Sequence, residues 1–199
     1  MTEVVLQGIA CRFGEIIDDG TKLIFLPPGC MTLSDEVKLL IDHRGKGLAS
    51  TADALEIHIG EKSLAFRYSI PESWTEQFKD IADDVNTYLP VSCGFAITKS
   101  ELMTIDGAQI KVVTEATLNE LSLISETPAV KSTYARVVSA DTCGTLADDS
   151  ERLELIGRYV TLHRKARASE NGGIIQYSHA TTPYDKAADR FERALRNLA

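Results

Sequence analysis

The chain has 199 residues, of which 44% are hydrophobic and 25% are charged, and its formal net charge is -8. This composition is typical of a globular protein, and the length allows one sizeable domain plus an appendage, or two small domains. The acidic balance disfavours nonspecific binding to nucleic acid. No apolar run approaches the roughly 20 residues that span a bilayer, and no basic region followed by an apolar core opens the sequence, so we expect a cytoplasmic protein without a signal peptide.

The first seventy residues carry the alternation and turn signals of strands. Residues 3–17 predict one or two strands broken at Gly14, and "TKLIFL" predicts another, ended by "PPG". "EVKLLIDH" predicts a strand whose apolar face ends at His43, and "HRGKG" after it predicts a loop. "ALEIHIG" and "SLAFRYSI" predict two strands joined by a turn at "GEK".

The middle of the chain predicts one helix and further strands. Apolar residues recur at helical spacing before Pro90, at Trp74, Phe78, Ile81, Val85 and Leu89. "VSCGFAIT" and "AQIKVVTEATLNELSLIS" then predict strands around a turn at "IDGA", while "TPAVKSTYARVV" fits either a short helix or a last strand.

Near residue 140 the sequence becomes polar and rich in turn residues, and two amphipathic helices are predicted after it. The first covers about 149–167, with one face formed by Leu153, Ile156, Val160 and His163. The second begins with Thr182 as its N-cap and Pro183 at its first position. We therefore predict a strand-rich domain over 1–140 and a helical tail over 141–199.

Three polar residues interrupt patterns that predict burial. In "LNELSLIS", alternation places Leu118, Glu120, Ser122 and Ile124 on one face of a strand that is apolar on both sides. A carboxylate there is costly unless it is paired. His43 ends an apolar strand face, and Ser92 lies on the small-residue face of "VSCGFAIT". Each feature alone is more often structural than catalytic.

Together, the three residues are a more specific signal than any one of them alone. A hydroxyl nucleophile needs a base within hydrogen-bonding reach, and the base needs a third group that orients it. Ser92, His43 and Glu120 supply these roles if their strands adjoin, and Glu120 would then pair with His43. Cys93 is an alternative nucleophile, although alternation places it in the core, and Ser122 is a further supporting or packing residue.

The order of these motifs resembles the prohead proteases of tailed bacteriophages, relatives in fold of the herpesvirus assemblins. "VKLLIDH", "SCGF" and "LNELSLISETPA" carry the resemblance, which covers roughly residues 4–138, although the family's usual Gly-Leu before the serine is Pro-Val here. It implies an α+β fold of the herpesvirus-protease-like type, with a mostly antiparallel barrel and a long helix between strands; the helical tail predicted above would follow it. It also implies that His43 is the general base, Ser92 the nucleophile and Glu120 the third member.

The implied activity is that of a serine endopeptidase, with a scaffold protein or the major capsid protein as substrate inside a viral procapsid in the bacterial cytoplasm. No cofactor or metal is expected, because the four cysteines and four histidines lack zinc-ligand spacing. A homo-oligomer is compatible with the sequence, and nucleic acid and membrane partners are not expected. Two alternatives are a non-catalytic structural barrel protein and a scaffold or interaction protein acting through its tail.

Overall fold

The structure is a computed structural model that describes residues 3–18, 21–73, 88–105, 107–124 and 133–170. These residues form a mixed α+β fold, mostly strands with one long helix, as the sequence predicts at that level. The elements are β1 (Val4–Arg12), β2 (Ile16–Asp18), β3 (Leu23–Phe25), β4 (Met31–Ile41), β5 (Arg44–Ser50), β6 (Leu55–Ile59), β7 (Ser63–Ser69), β8 (Val91–Ile105), β9 (Ala108–Leu123), β10 (Tyr134–Ser139) and α1 (Leu146–Glu170).

The strands form a four-stranded and a six-stranded sheet. The four-stranded sheet is antiparallel, in the order β10-β1-β7-β6. In the six-stranded sheet β9 is central: antiparallel β8 follows one of its edges, while β3 and then β4 pair with its other edge in parallel. Strands β2 and β5 lie outside β3 and β4. Two parallel pairings therefore bring distant parts of the chain beside β9.

The prediction of a barrel is wrong for the described residues, whose two sheets are not closed into one, whereas the prediction of mostly antiparallel strands is confirmed by six antiparallel ladders against two parallel ones. Both sheets contribute to one apolar core, but no ladder among these residues joins their edges. Period-two alternation predicts which side chains face a core, whereas it contains no information about which strands pair or in which direction. The strands themselves, the break at Gly14 (φ 77°) and the turn before β7 are confirmed.

One further predicted element differs from the structure, and several others lie outside the described residues. "HRGKG" is not a loop, because β5 begins at Arg44 and pairs with β4. The helix predicted over 74–89 lies almost entirely outside the described residues, as do 125–132 and the second tail helix. The last part of "TPAVKSTYARVV" is the strand β10.

Helix α1 packs against the four-stranded sheet. Leu153 and Val160, on its predicted apolar face, are buried with Ile9 and Tyr134. Within the described residues, no helix is both long and apolar enough to cross a bilayer. The division of the chain at residue 140 stays a prediction, since its second part is described only to Glu170.

Two ion pairs also connect α1 to that sheet. Nη2 of Arg67 lies 2.7 Å from Oδ2 of Asp149, with both side chains almost fully buried. Nη1 of Arg12 lies 3.4 Å from Oε1 of Glu154. Because removal of one partner leaves a buried charge unpaired, these contacts hold α1 in place on the sheet.

Candidate active site

Glu120 owes its orientation to an extra residue in β9. Across the ladder with β8, Glu120 pairs with Gly94 and Leu118 pairs with Phe95, so Asn119 is the additional residue of a β-bulge. The pairing of β9 with β4 shifts at the same place. A bulge of this kind moves the side-chain alternation by one residue and changes which side chain faces the core.

The bulge places Glu120 outside the core. Large apolar side chains face the core on both sides of it: Leu118 before it, and Leu121 and Leu123 after it. Glu120 and Ser122 consequently point to the opposite face. The prediction that Leu118 shares a face with Glu120 is wrong, because strict alternation has no position for an extra residue.

Gly94 makes room for the Glu120 side chain. A Cβ added at Gly94 would lie 2.6 Å from Cγ and 2.7 Å from Oε1 of Glu120. Nonbonded carbon atoms ordinarily stay about 3.5–4.0 Å apart. The small-residue face predicted for β8 is therefore occupied, at Gly94, by the side chain of Glu120.

His43 lies in a tight turn. Strand β4 ends at Ile41, which pairs with Arg44, and the two residues between them, Asp42 and His43, have φ values of 47° and 57°. Two positive φ angles define a type I′ hairpin turn, and aspartate and histidine are among the residues that most often adopt this conformation. The prediction that His43 extends the apolar face of a strand is wrong, because the strand ends two residues earlier.

From this turn, His43 contacts Glu120. Its Nδ1 is within hydrogen-bonding distance of Oε1 of Glu120. The backbone N–H of Asp42 donates to the carbonyl of Leu123 at 2.8 Å, which connects the turn to the end of β9. The His43 side chain is 44% exposed and that of Glu120 20%, so solvent and a ligand can reach the pair. The carboxylate of Glu120 is therefore paired, and its partner is His43, as the sequence indicated.

Ser92 lies on the same face of the sheet as Glu120. It is two residues before Gly94 in β8 and pairs with Ser122, which is two residues after Glu120 in β9. Ser92 and Glu120 are thus diagonal neighbours, a relation that places Cβ atoms roughly 7 Å apart. The topology places His43, from the turn after β4, in contact with Glu120, and it places Ser92 on the same face of the sheet as Glu120.

Cys93 faces away from this group. It packs against the core together with Val91 and Phe95, and its thiol lies beside that of Cys11. That contact, together with burial, raises the pKa of Cys11 well above its usual range. A core position favours Ser92 over Cys93 as the nucleophile.

Sequence reasoning missed two supporting features of this group. The glycine of "SCGF" is required because the Glu120 side chain occupies the space of a Cβ at this position. Its small size was the sequence signal for this contact. The bulge at Asn119 has no such signal. Within the described parts of the chain, no group of three or more histidine, cysteine, aspartate or glutamate residues is placed to hold a metal ion.

The sequence matches no model of a known protein family and no curated protein. The class is therefore defined by geometry: a mixed α+β protein whose larger sheet displays a serine, a glutamate and a histidine on one face. These residue types can supply a hydroxyl nucleophile, a base and an orienting acid.

Proposed function

We propose that the chain is a serine endopeptidase of the prohead protease type. Its substrate would be a scaffold protein, or a scaffold-like segment of the major capsid protein, cut inside an immature viral shell in the bacterial cytoplasm. The observation that carries the proposal is the contact of His43 with Glu120 on the face that Ser92 shares. The substrate class comes from the resemblance of the motifs.

The direction of the His43–Glu120 hydrogen bond determines the role of the histidine. An ionised carboxylate only accepts hydrogen bonds, so Nδ1 of His43 carries a hydrogen and donates a hydrogen bond to Glu120. The other ring nitrogen, Nε2, is then unprotonated and able to act as a base. Glu120 thereby selects the tautomer that a serine hydrolase requires.

The separation across the sheet suits a relay of three groups. In such a relay, hydrogen bonds of about 2.8 Å join the carboxylate oxygen and the hydroxyl oxygen to opposite nitrogens of the imidazole ring. The side chains of diagonal neighbours, whose Cβ atoms are roughly 7 Å apart, can reach the two ends of that arrangement. Ser92 would donate its hydroxyl proton to Nε2 of His43 while its oxygen attacks the peptide carbonyl. Glu120 would stabilise the resulting imidazolium.

The remaining steps follow from proton balance. The imidazolium donates its Nε2 proton to the leaving amine, which frees the first product and leaves an acyl ester on Ser92. His43 then takes a proton from water as the water attacks the ester, and returns a proton to Ser92 as the second product leaves. No step requires a metal ion or a cofactor.

Labelling with a fluorophosphonate probe tests this function without knowledge of the cleavage sequence. We expect wild-type protein to be modified at Ser92, and Ser92→Ala and His43→Ala to be unmodified. His58→Ala is the matched control, because His58 is a histidine of β6 in the other sheet, and it should label at the wild-type rate. Absence of labelling at Ser92 in folded wild type, or equal labelling of His43→Ala, would contradict the proposal.

A further inference from the structure

Ser122 is a buried hydroxyl beside the candidate nucleophile. Its relative exposure is 0%, and its Oγ has no hydrogen-bond partner among the described residues. Buried polar atoms are almost always paired, and leaving one unpaired is costly. A serine that serves only as a small packing residue is better replaced by alanine at such a position, which indicates that the hydroxyl has a use.

The position of Ser122 in the sheet limits what that use can be. It is directly opposite Ser92 in the β8–β9 ladder, on the face that carries Glu120. Directly opposed residues of an antiparallel pair have Cβ atoms about 4.5–5.5 Å apart. A serine hydroxyl rotates among three staggered positions about χ1, so the two oxygens can meet at hydrogen-bonding distance.

We propose that Ser122 is a positioning residue that donates its hydroxyl hydrogen bond to Oγ of Ser92. This inference rests on the proposed function. The bond restricts Ser92 to the rotamer that faces His43. It also occupies one of the acceptor positions of Oγ of Ser92. The proton of Ser92 therefore has His43 as its remaining partner, and the hydrogen bonds run in one direction from Ser122 through Ser92 to His43.

Burial makes Ser122 suited to positioning and unsuited to the chemistry itself. A residue without exposed surface cannot touch a peptide substrate, so its effect must pass through Ser92. It also excludes water from the inner side of the nucleophile, where a water molecule would compete for the same acceptor position.

Replacement of Ser122 should slow the reaction of Ser92 while leaving the chain folded. Ser122→Ala removes one hydroxyl and the single hydrogen bond proposed for it, so we expect a melting temperature within a few degrees of that of wild type. Labelling by the fluorophosphonate should slow about tenfold at saturating probe, with an unchanged half-saturating concentration, as expected for the loss of one hydrogen bond. Ser122→Thr, which keeps the hydroxyl, should restore the rate.

Two further variants make the test decisive. Ser122→Cys keeps the shape but has only a weak donor, so it should label as slowly as the alanine variant. Ser63→Ala, at a buried strand serine of the other sheet, should label like wild type. Wild-type labelling rates in both Ser122→Ala and Ser122→Cys would overturn the inference while leaving the proposed function intact. Failure of wild-type protein to label would instead overturn the proposed function.

Discussion

Replacement of Gly94 by alanine should disable the site through Glu120. The added Cβ would lie 2.6 Å from Cγ of Glu120, so that side chain must shift by about 1 Å to reach ordinary contact. The backbone of Glu120 is held between β8 and β4, which leaves rotation of the side chain as the available response. Rotation withdraws the carboxylate from His43.

Activity and stability should respond very differently to this change. Loss of the orienting acid should slow labelling of Ser92 on the order of 10³-fold. The free energy of unfolding should fall by about 1–3 kcal/mol, because the displaced carboxylate can turn towards solvent. Denaturant unfolding and probe labelling of the same preparation measure both quantities.

A matched glycine and a double variant complete the test. Gly47, in β5 of the same sheet, has its nearest neighbours 3.4 Å from an added Cβ, so Gly47→Ala should leave the labelling rate unchanged. If Gly94 acts through Glu120, Gly94→Ala should add little to the loss already caused by Glu120→Gln. A folded Gly94→Ala variant that labels within twofold of wild type would refute this reasoning.

Three further predictions concern the fold and its pH dependence. Deletion of Asn119 should turn Glu120 towards the core or break the β9 ladders. Circular dichroism should therefore show loss of the folded state. A deletion variant that stays folded would contradict the assigned bulge. Asp149→Ala, which breaks the buried ion pair under α1, should cost about 3–5 kcal/mol in urea unfolding, against less than about 1 kcal/mol for Lys99→Ala in an exposed pair; equal costs would contradict this account. Burial raises the pKa of Tyr68 from 10.0 to about 12, so this group's contribution to stability is fully present below pH 10 and is lost between pH 10 and 12. Tyr68→Phe should abolish that loss of stability at alkaline pH. It should cost nothing at pH 7, since the hydroxyl has no partner among the described residues. Tyr134→Phe, which removes a 2.8 Å hydrogen bond to a helix carbonyl, should instead cost about 1 kcal/mol at pH 7.

Local sequence signals predicted the strands well and their arrangement poorly. Alternation correctly placed Val91, Cys93 and Phe95 on the core side of β8. It also marked Glu120 as a carboxylate in need of a partner. These are properties of neighbouring residues, which is the range over which hydrophobic periodicity acts.

The features that alternation missed depend on backbone geometry or on distant pairing. Asp42 and His43 form a type I′ turn without the usual glycine, so an apparent strand continued two residues too far. The bulge at Asn119 shifts the alternation of β9 by one residue, so Leu118 and Glu120 face opposite sides of the sheet. The parallel pairing of β4 with β9 joins segments about eighty residues apart, and no local pattern encodes it.

The central position of β9 determines when the site forms during synthesis. His43 and Glu120 are separated by 77 residues, and their contact requires β9 to pair with both β4 and β8. A nascent chain that has not yet released β9 from the ribosome contains both His43 and Ser92, yet it lacks the strand that brings them to one face. Contacts between segments so far apart form late, because the entropy of closing the loop opposes them. The proposed activity would therefore appear only after β9 has left the ribosome and the larger sheet has assembled.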